Sequence, residues 1–165
     1  MHIAWLALGG NLGPVRQYMD GAVAALNQRQ DCHVTGKSQL YQTPPMGPPG
    51  QPDYLNAVIQ LHTSLSPVVL LDVLQAIELA HGRERKEHWG ARTLDLDILD
   101  VDGLVMQSER LNLPHPQMQH RMFVLRPLCD LKPDWWHPLL YQSASTLLDA
   151  LRGQGEADLP EGVKW

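Results

Sequence analysis

The alternation of apolar and polar residues along the chain predicts a fixed order of short strands and amphipathic helices. Residues 3–8 (IAWLAL) form an apolar run typical of a buried strand. Residues 15–28 carry apolar positions at the three- and four-residue spacing of a helix. Residues 32–42 and 54–63 have the pattern and composition of strands. The first half of the chain therefore predicts β-α-β-β.

The same order of elements continues past a long loop rich in proline and glycine at 43–53. A helix is expected over 66–80, because Ser and Pro at its start are an N-cap followed by a first-turn residue. Residues 94–101 predict a strand, and the Asp-Gly pair at 102–103 predicts a hairpin turn into 104–106. A long loop in a compact domain is usually functional.

The predicted order β-α-β-β-α-β is the split βαβ arrangement of ferredoxin-like folds. We therefore predict an α+β protein, a ferredoxin-like β-α-β-β-α-β sandwich with a C-terminal extension, whose antiparallel sheet carries helices on one face. The extension is expected to contain a short helix near 117–122, a short strand near 123–128 and a helix near 144–152. Residues 153–165 read as a loose tail.

Length and composition favour one globular domain over residues 1–165 in the cytoplasm. The chain is long enough to bury a core, and its apolar stretches fall short of a bilayer span. Its first residues lack the basic region of a signal peptide and fit a first strand instead. Two cysteines, Cys32 and Cys129, make no disulfide framework, and a reducing compartment is the default.

The charge distribution disfavours nucleic acid as a partner, and one basic segment fits either a small anionic ligand or a solvated surface. A net charge of −5 argues against general nucleic-acid binding, which requires a basic surface. Basic residues nevertheless concentrate within 83–92. A solvated, salt-bridged surface is an equally good interpretation of that segment, because Glu84 and Glu87 lie among the basic residues.

The paired aspartates Asp95 and Asp97 raise a question of charge. Residues two apart on a strand point to the same face, so their carboxylates repel unless one is protonated or a cation lies between them. A second such pair, Asp100 and Asp102, shows that the spacing alone is weak evidence. The arginines just before Asp95 strengthen the case, because Mg²⁺ is typically held by one or two carboxylates together with substrate phosphates.

Three other motifs are weak. TGKS at 35–38 resembles the end of a phosphate-binding loop, but the glycine that would begin that loop is replaced by Asp31. GGNLG at 9–13 lacks the first glycine of a dinucleotide-binding turn, so its glycines are interpreted as turn residues. His115 and His120 have no well-spaced third ligand for zinc.

Residues 82–99, GRERKEHWGARTLDLDIL, closely resemble the signature of the 6-hydroxymethyl-7,8-dihydropterin pyrophosphokinase family of the folate pathway. Nearly the whole chain shares the resemblance, through segments 9–13, 41–47, 52–58, 109–118 and 121–128. The resemblance implies the ferredoxin-like fold and transfer of the diphosphate of ATP to the pterin hydroxymethyl group, giving AMP. It also implies two Mg²⁺ ions bound by Asp95 and Asp97, with ATP as co-substrate.

The resemblance further implies a role for individual residues. Catalytic roles are expected for Arg83, Arg92 and Asp97, the last also as an acceptor of the hydroxyl proton. Pterin binding is expected from Thr43, Pro44, Met46, Tyr54, Asn56, Trp89 and Phe123, with the ring between Tyr54 and Phe123. ATP binding is expected from Gln75, Glu78, Arg85, Arg110, Asn112, His115 and Arg121. Segments 9–13, 43–53 and 83–92 would close to exclude water.

The chain departs from the family pattern at Gly10, His88, Ala91 and His120. We expect the change at Gly10 to have a mild effect, and we expect the changes at His88 and Ala91 to affect the loop at 83–92. None of them removes a metal ligand or a stacking ring. We expect a monomer with small-molecule substrates and neither nucleic acid nor membrane as a partner.

Two other functions compete with the pyrophosphokinase. A metal-dependent nucleotide hydrolase could use the same carboxylates, but it would have no ring for Tyr54, Asn56 and Phe123 to hold. A ferredoxin-like RNA-binding module would place aromatic residues on a basic sheet, whereas this chain is acidic and its sheet carries aspartates.

Overall fold

The computed structural model describes residues 1–45, 49–82 and 92–165. Seven strands, a 3₁₀ turn and four helices lie in this part of the chain. The strands are β1 (His2–Gly10), β2 (Cys32–Lys37), β3 (Tyr41–Thr43), β4 (Tyr54–Thr63), β5 (Asp95–Val101), β6 (Met106–Gln107) and β7 (Asn112–Leu113). The helices are α1 (Val15–Asn27), α2 (Pro67–Ala80), α3 (Met122–Leu131) and α4 (Ala144–Gly153), with the 3₁₀ turn at Met118–His120.

The main sheet is antiparallel throughout and has the strand order β2-β4-β1-β5, with β3 also paired to β4. β1 is therefore flanked by a strand on each side, and it carries a nearly continuous run of buried residues. α1 and α2 connect strands that are not neighbours in the sheet, as the split βαβ arrangement requires. The predicted α+β ferredoxin-like fold is confirmed.

Both faces of the sheet are covered, because the two helices of the predicted β-α-β-β-α-β unit lie on one face and the helices of the C-terminal extension cover the other. α1 and α2 pack on one face over a core that includes Leu6, Ile59 and Ile98. α3 and α4 pack on the other face against Trp5 and Val58. The apolar run of β1 already indicated two layers, because a strand that is buried at successive positions must have a layer on each face of the sheet.

The segment predicted as a strand over 123–128 is instead part of helix α3. Its buried residues include Met122, Leu125 and Leu128, which lie at helical spacing. A short apolar run does not by itself distinguish a strand from a buried helix, and Pro127 within the run already disfavoured a central strand.

Two smaller differences concern strand pairing. The strand predicted over 32–42 is divided into β2 and β3, which pair with successive parts of β4. Asp102 and Gly103 do form a turn, with φ values of 55° and 70°. The strand that follows the turn pairs with β7 and not with β5, so the predicted hairpin is wrong.

Within residues 1–45, 49–82 and 92–165, no helix has the length and apolar character needed to cross a membrane.

Gly10 closes β1 at a point where the backbone of another segment comes very near. A Cβ atom built on Gly10 would lie 2.5 Å from the Thr93 carbonyl oxygen and 3.1 Å from Val15 Cγ1. Because a backbone oxygen cannot turn aside as a flexible side chain can, the absence of a side chain at position 10 is not the mild feature that the sequence predicted.

We expect Gly10→Ala to lower the free energy of unfolding by about 1–3 kcal/mol, since the added methyl group overpacks a backbone contact. Urea unfolding measures the loss. Gly36→Ala is the matched control, because a Cβ there would meet nothing closer than 3.5 Å. Equal stability of the two variants would contradict this interpretation of the contact.

Candidate functional site

A cavity of about 960 Å³ opens on the face of the sheet that α3 covers. It lies beside the end of the sheet that contains the last residues of β1 and the first residues of β4 and β5. Of the residues predicted from the sequence, those that line it are Thr43, Pro44, Tyr54, Asn56, Arg92, Asp95, Asp97, His115, Arg121 and Phe123. The fold thus brings together residues that are up to 80 positions apart in the chain.

Strand register sets the spacing within this cavity. Gly9 pairs with Asn56 on one side and with Asp95 on the other, so the three form one row across the sheet. Ala7 forms the next row on the same face with Val58 and Asp97. Because adjacent strands lie about 4.8 Å apart, the backbones at Asn56 and Asp95 are about 10 Å apart.

The centre of the first row has no side chain. A Cβ atom on Gly9 would lie 3.0 Å from Asn56 Oδ1, closer than most real contacts. Asn56 is buried, and its Nδ2 donates a hydrogen bond of 2.8 Å to Thr43 Oγ1. The glycine therefore leaves room for the Asn56 amide, and Thr43 fixes the plane of that amide.

Asp95, at the other end of this row, and Asp97, in the next row, differ in their surroundings. Asp95 is partly buried and lies 3.5 Å from the Arg92 guanidinium, whereas Asp97 is exposed. Among the described residues, no group of three or more His, Cys, Asp and Glu side chains could hold a metal. Two carboxylates on one face fit a hard cation such as Mg²⁺, which takes its remaining ligands from water and substrate phosphates.

The second aspartate pair has hydrogen-bond partners within the protein. Asp102 Oδ1 accepts a hydrogen bond of 2.8 Å from the Ile3 amide. Asp100 is buried, and its Oδ2 accepts from the Gly103 amide at 3.2 Å and from Trp135 Nε1 at 3.4 Å. Burial raises the pKa of Asp100. This pair therefore fastens β5 to its surroundings, which separates it from Asp95 and Asp97.

Arg92 is held by Asn11, a residue that sequence reasoning treated as part of a turn. The Asn11 amide donates to the Arg92 carbonyl at 2.8 Å, and the Arg92 amide donates to Asn11 Oδ1 at 2.9 Å. Asn11 Nδ2 also donates to the Pro52 carbonyl at 3.0 Å. One buried side chain thus joins three loops at the rim of the cavity. The asparagine among the glycines of segment 9–13 could have indicated this role, because its side-chain amide is both a donor and an acceptor of hydrogen bonds.

Arg121 and Phe123 enter the cavity from the start of α3. The Arg121 guanidinium lies 5.7 Å from the centre of the Phe123 ring, within the range of a cation–π contact. Tyr54, the first residue of β4, lines the same cavity.

His115 lies where this cavity meets a second cavity of about 670 Å³ and lines both. Its amide donates to the Leu99 carbonyl at 2.8 Å, and its Nδ1 accepts from the Gln117 amide at 3.1 Å. Burial lowers the pKa of His115, with Asp97 acting in the opposite direction and Arg121 in the same direction. The second cavity also contains Asn112.

Three predicted ATP residues do not line either cavity in the described part of the chain. Arg110 pairs with Asp72 at 2.5 Å and donates to Gln75 Oε1 at 3.4 Å. Glu78 is buried, and its Oε2 accepts from the Leu96 amide at 2.8 Å. Glu78 is therefore turned toward β5 and away from solvent. The predicted residues Met46, Arg83, Arg85 and Trp89 lie outside the described residues, as do His88 and Ala91.

The segment interpreted as a loose tail also reaches the site. Residues 156–160 line the larger cavity, and Val163 forms an antiparallel bridge with Leu40. Sequence patterns gave no sign of this, because the contact joins residues more than 120 positions apart.

Comparison with known proteins supplies the class of enzyme. The profile of the 7,8-dihydro-6-hydroxymethylpterin-pyrophosphokinase family matches residues 5–133. The chain belongs to this pyrophosphokinase family.

Relatives in several bacteria support the same assignment, and each is named 2-amino-4-hydroxy-6-hydroxymethyldihydropteridine pyrophosphokinase. The Synechocystis relative is 45% identical over 150 residues, covering 91% of this chain and 75% of its own. The Haemophilus influenzae relative is 45% identical over 134 residues, which cover 81% of this chain and 84% of that relative. The Pseudomonas aeruginosa relative is 46% identical over 130 residues, which cover 79% of this chain and 80% of that relative.

Solved structures support the fold. Wild-type Plasmodium falciparum HPPK-DHPS with pteroate has a TM-score of 0.75 at 14% identity and covers 98% of this chain. A triple mutant of the same protein has a TM-score of 0.74 at 14% identity and covers 93%. The chain spans 47% and 44% of those two structures, just under half of each.

We expect Asn11→Ala to lower the free energy of unfolding by about 1–2 kcal/mol, because the buried Asn11 side chain makes two part-buried hydrogen bonds to backbone groups, which the variant loses. Urea unfolding measures the stability, and hydrogen exchange at the Arg92 amide should become faster. Asn27→Ala is the control, since its Oδ1 accepts one exposed hydrogen bond, from the Val34 amide. Unchanged exchange at Arg92 would show that Asn11 does not hold that segment.

Proposed function

We propose that this chain transfers the diphosphate group of ATP to 6-hydroxymethyl-7,8-dihydropterin in folate biosynthesis, giving AMP and the pterin pyrophosphate. The pterin hydroxymethyl oxygen forms a bond to the β-phosphorus, and the bond from that phosphorus to the α,β-bridging oxygen breaks. AMP leaves with the bridging oxygen, and the hydroxyl proton is lost. The supporting observation is the row Asn56, Gly9 and Asp95, in which the backbone of the buried Asn56 lies about 10 Å from the backbone of Asp95, one of the two paired aspartates.

The pterin end of the cavity is proposed at Asn56. A pterin edge offers both donors and acceptors, and the Asn56 amide, oriented by Thr43, can satisfy both kinds. The backbone of Thr43 and Pro44 lies along the same edge of the cavity. Tyr54 and Phe123 line the cavity from different elements and would hold the flat ring between them.

The phosphate end is proposed at Asp95 and Asp97. These two side chains would hold two Mg²⁺ ions, which when bound neutralise the phosphate charge and polarise the β-phosphate. Arg92 lies beside Asp95 and would bind phosphate oxygens with its planar fork. Asp97 is exposed to the cavity, where it would accept the proton of the hydroxymethyl group.

The nucleotide is proposed to extend from Asp97 past His115 into the second cavity. Arg121 and His115 lie along this route, and Asn112 lines its far part. The roles of Gln75, Glu78, Arg85 and Arg110 in ATP binding stay predictions, as do those of Met46, Arg83 and Trp89. A monomeric state and a cytoplasmic location also stay predictions.

The deciding measurement is AMP formation from ATP and Mg²⁺, with and without 6-hydroxymethyl-7,8-dihydropterin. We expect AMP only when the pterin is present, and loss of AMP formation when Mg²⁺ is chelated. Asp97→Ala should reduce turnover at least about 100-fold, since it removes electrostatic stabilisation of the transferred group, while pterin binding remains measurable.

Asp149→Ala is the control for this experiment, because Asp149 is an exposed aspartate on α4. It should keep the activity of the wild-type chain. Near-normal turnover of Asp97→Ala would refute the metal assignment. AMP formation without the pterin would favour a nucleotide hydrolase instead.

We expect Phe123→Ala to weaken pterin binding about tenfold or more and to leave ATP binding within about twofold, because a stacking surface is lost at one end of the cavity only. Equilibrium binding of each substrate measures the two effects. Trp136→Ala removes an exposed aromatic ring outside the cavity and should change neither. Equal losses for pterin and ATP would argue against stacking.

A further inference from the structure

The C-terminal segment, residues 154–165, forms part of the wall of the larger cavity. Residues 156–160 line it together with Tyr54, Asn56 and Phe123. Leu159 is partly buried and packs against the same apolar cluster between the sheet and α3 that Phe123 contacts. The family profile matches residues 5–133, so this wall lies beyond the part of the chain that the profile covers.

The segment is held in place at both ends. Near its start, Arg152 Nη2 lies 2.8 Å from Asp158 Oδ2. Toward its end, Leu40 and Val163 exchange two backbone hydrogen bonds, of 2.8 and 2.9 Å. Trp165 Nε1 then donates to Asp20 Oδ1 at 2.7 Å. These contacts tie the segment to α4, to the sheet at Leu40 and to α1.

The residues before Val163 reach the larger cavity. Both Pro160 and Thr43 line this cavity, and Thr43 holds the Asn56 amide. The segment therefore lines the same cavity as the amide that is proposed to bind the pterin.

Gly162 makes this close passage feasible. A Cβ atom there would lie 2.9 Å from Gln39 Cβ and 2.9 Å from the buried Tyr41 ring. Neither neighbour can move aside without disturbing the strand edge, so a side chain at position 162 must displace the segment. Gly162 is not itself part of the cavity wall.

We propose that residues 156–160 are a further pterin-binding element, in which Leu159 and Pro160 cover the ring and set the affinity for the pterin but not for ATP. Apolar contact from this side complements the stacking from Phe123 and removes ring surface from water. The inference rests on the proposed function, because it assigns a role within the same site.

The test uses the full chain and three single variants. Leu159→Ala removes apolar contact within the cavity. Gly162→Ala displaces the segment from outside the cavity. Gly153→Ala is the matched control, since a Cβ there would meet no atom within 4 Å. Binding of 6-hydroxymethyl-7,8-dihydropterin and of a non-hydrolysable ATP analogue, with Mg²⁺, is measured for each by calorimetry. Circular dichroism confirms that each variant is folded.

We expect Leu159→Ala and Gly162→Ala each to weaken pterin binding about tenfold, with affinity for the ATP analogue within about twofold of wild type. Gly153→Ala should match the wild-type chain for both ligands. This pattern would not arise from a general loss of stability, which would affect both ligands.

Unchanged pterin binding in both Leu159→Ala and Gly162→Ala would overturn the inference, and so would equal losses of pterin and ATP analogue. Either result leaves the proposed function standing, provided that the wild-type chain binds pterin. A wild-type chain that binds the ATP analogue but no pterin would instead overturn the proposed function, and this inference with it.

Discussion

The pairing of β1 with β4 on one side and β5 on the other is the constraint on which the site depends. β1 contributes almost no side-chain chemistry of its own at this end, because it presents Ala7 and Gly9. β1 instead determines the register of its neighbours, because Gly9 pairs with both Asn56 and Asp95 and so places them in one row. A shift of one residue on either side would turn one of these side chains to the opposite face. Fold and chemistry are therefore fixed by the same hydrogen bonds.

The loops at this end of the sheet are held by a few polar side chains. Asn11 joins the end of β1 to Arg92 and to the loop before β4. Glu78 reaches from α2 to the Leu96 amide, between the two carboxylates of β5. Such buried polar bonds are strong because their partners would otherwise be desolvated without compensation. They position the charged groups of the cavity without lining it.

Sequence reasoning recovered the fold and fewer than half of the described residues that line the larger cavity, for different reasons. Periodicity predicted α1, α2 and the four long strands, because each has a regular apolar pattern. The resemblance supplied Asn56 and Phe123, which no periodicity distinguishes, whereas Asp95 was already singled out by its spacing from Asp97. Long-range contacts were missed, since nothing near Val163 in the sequence indicates its pairing with Leu40. Helix α3 was assigned to a strand because a short apolar run is compatible with either structure.

The hydrogen bond from the Leu96 amide to Glu78 also bears on how copies of the chain behave together. β5 ends the main sheet, and an open strand at that place is a template for pairing with another molecule. At Leu96 the outward amide is already occupied by the Glu78 side chain. On the opposite side of the sheet, Val163 occupies the backbone groups of Leu40. The contacts that order the site thus also reduce edge-to-edge aggregation at high concentration.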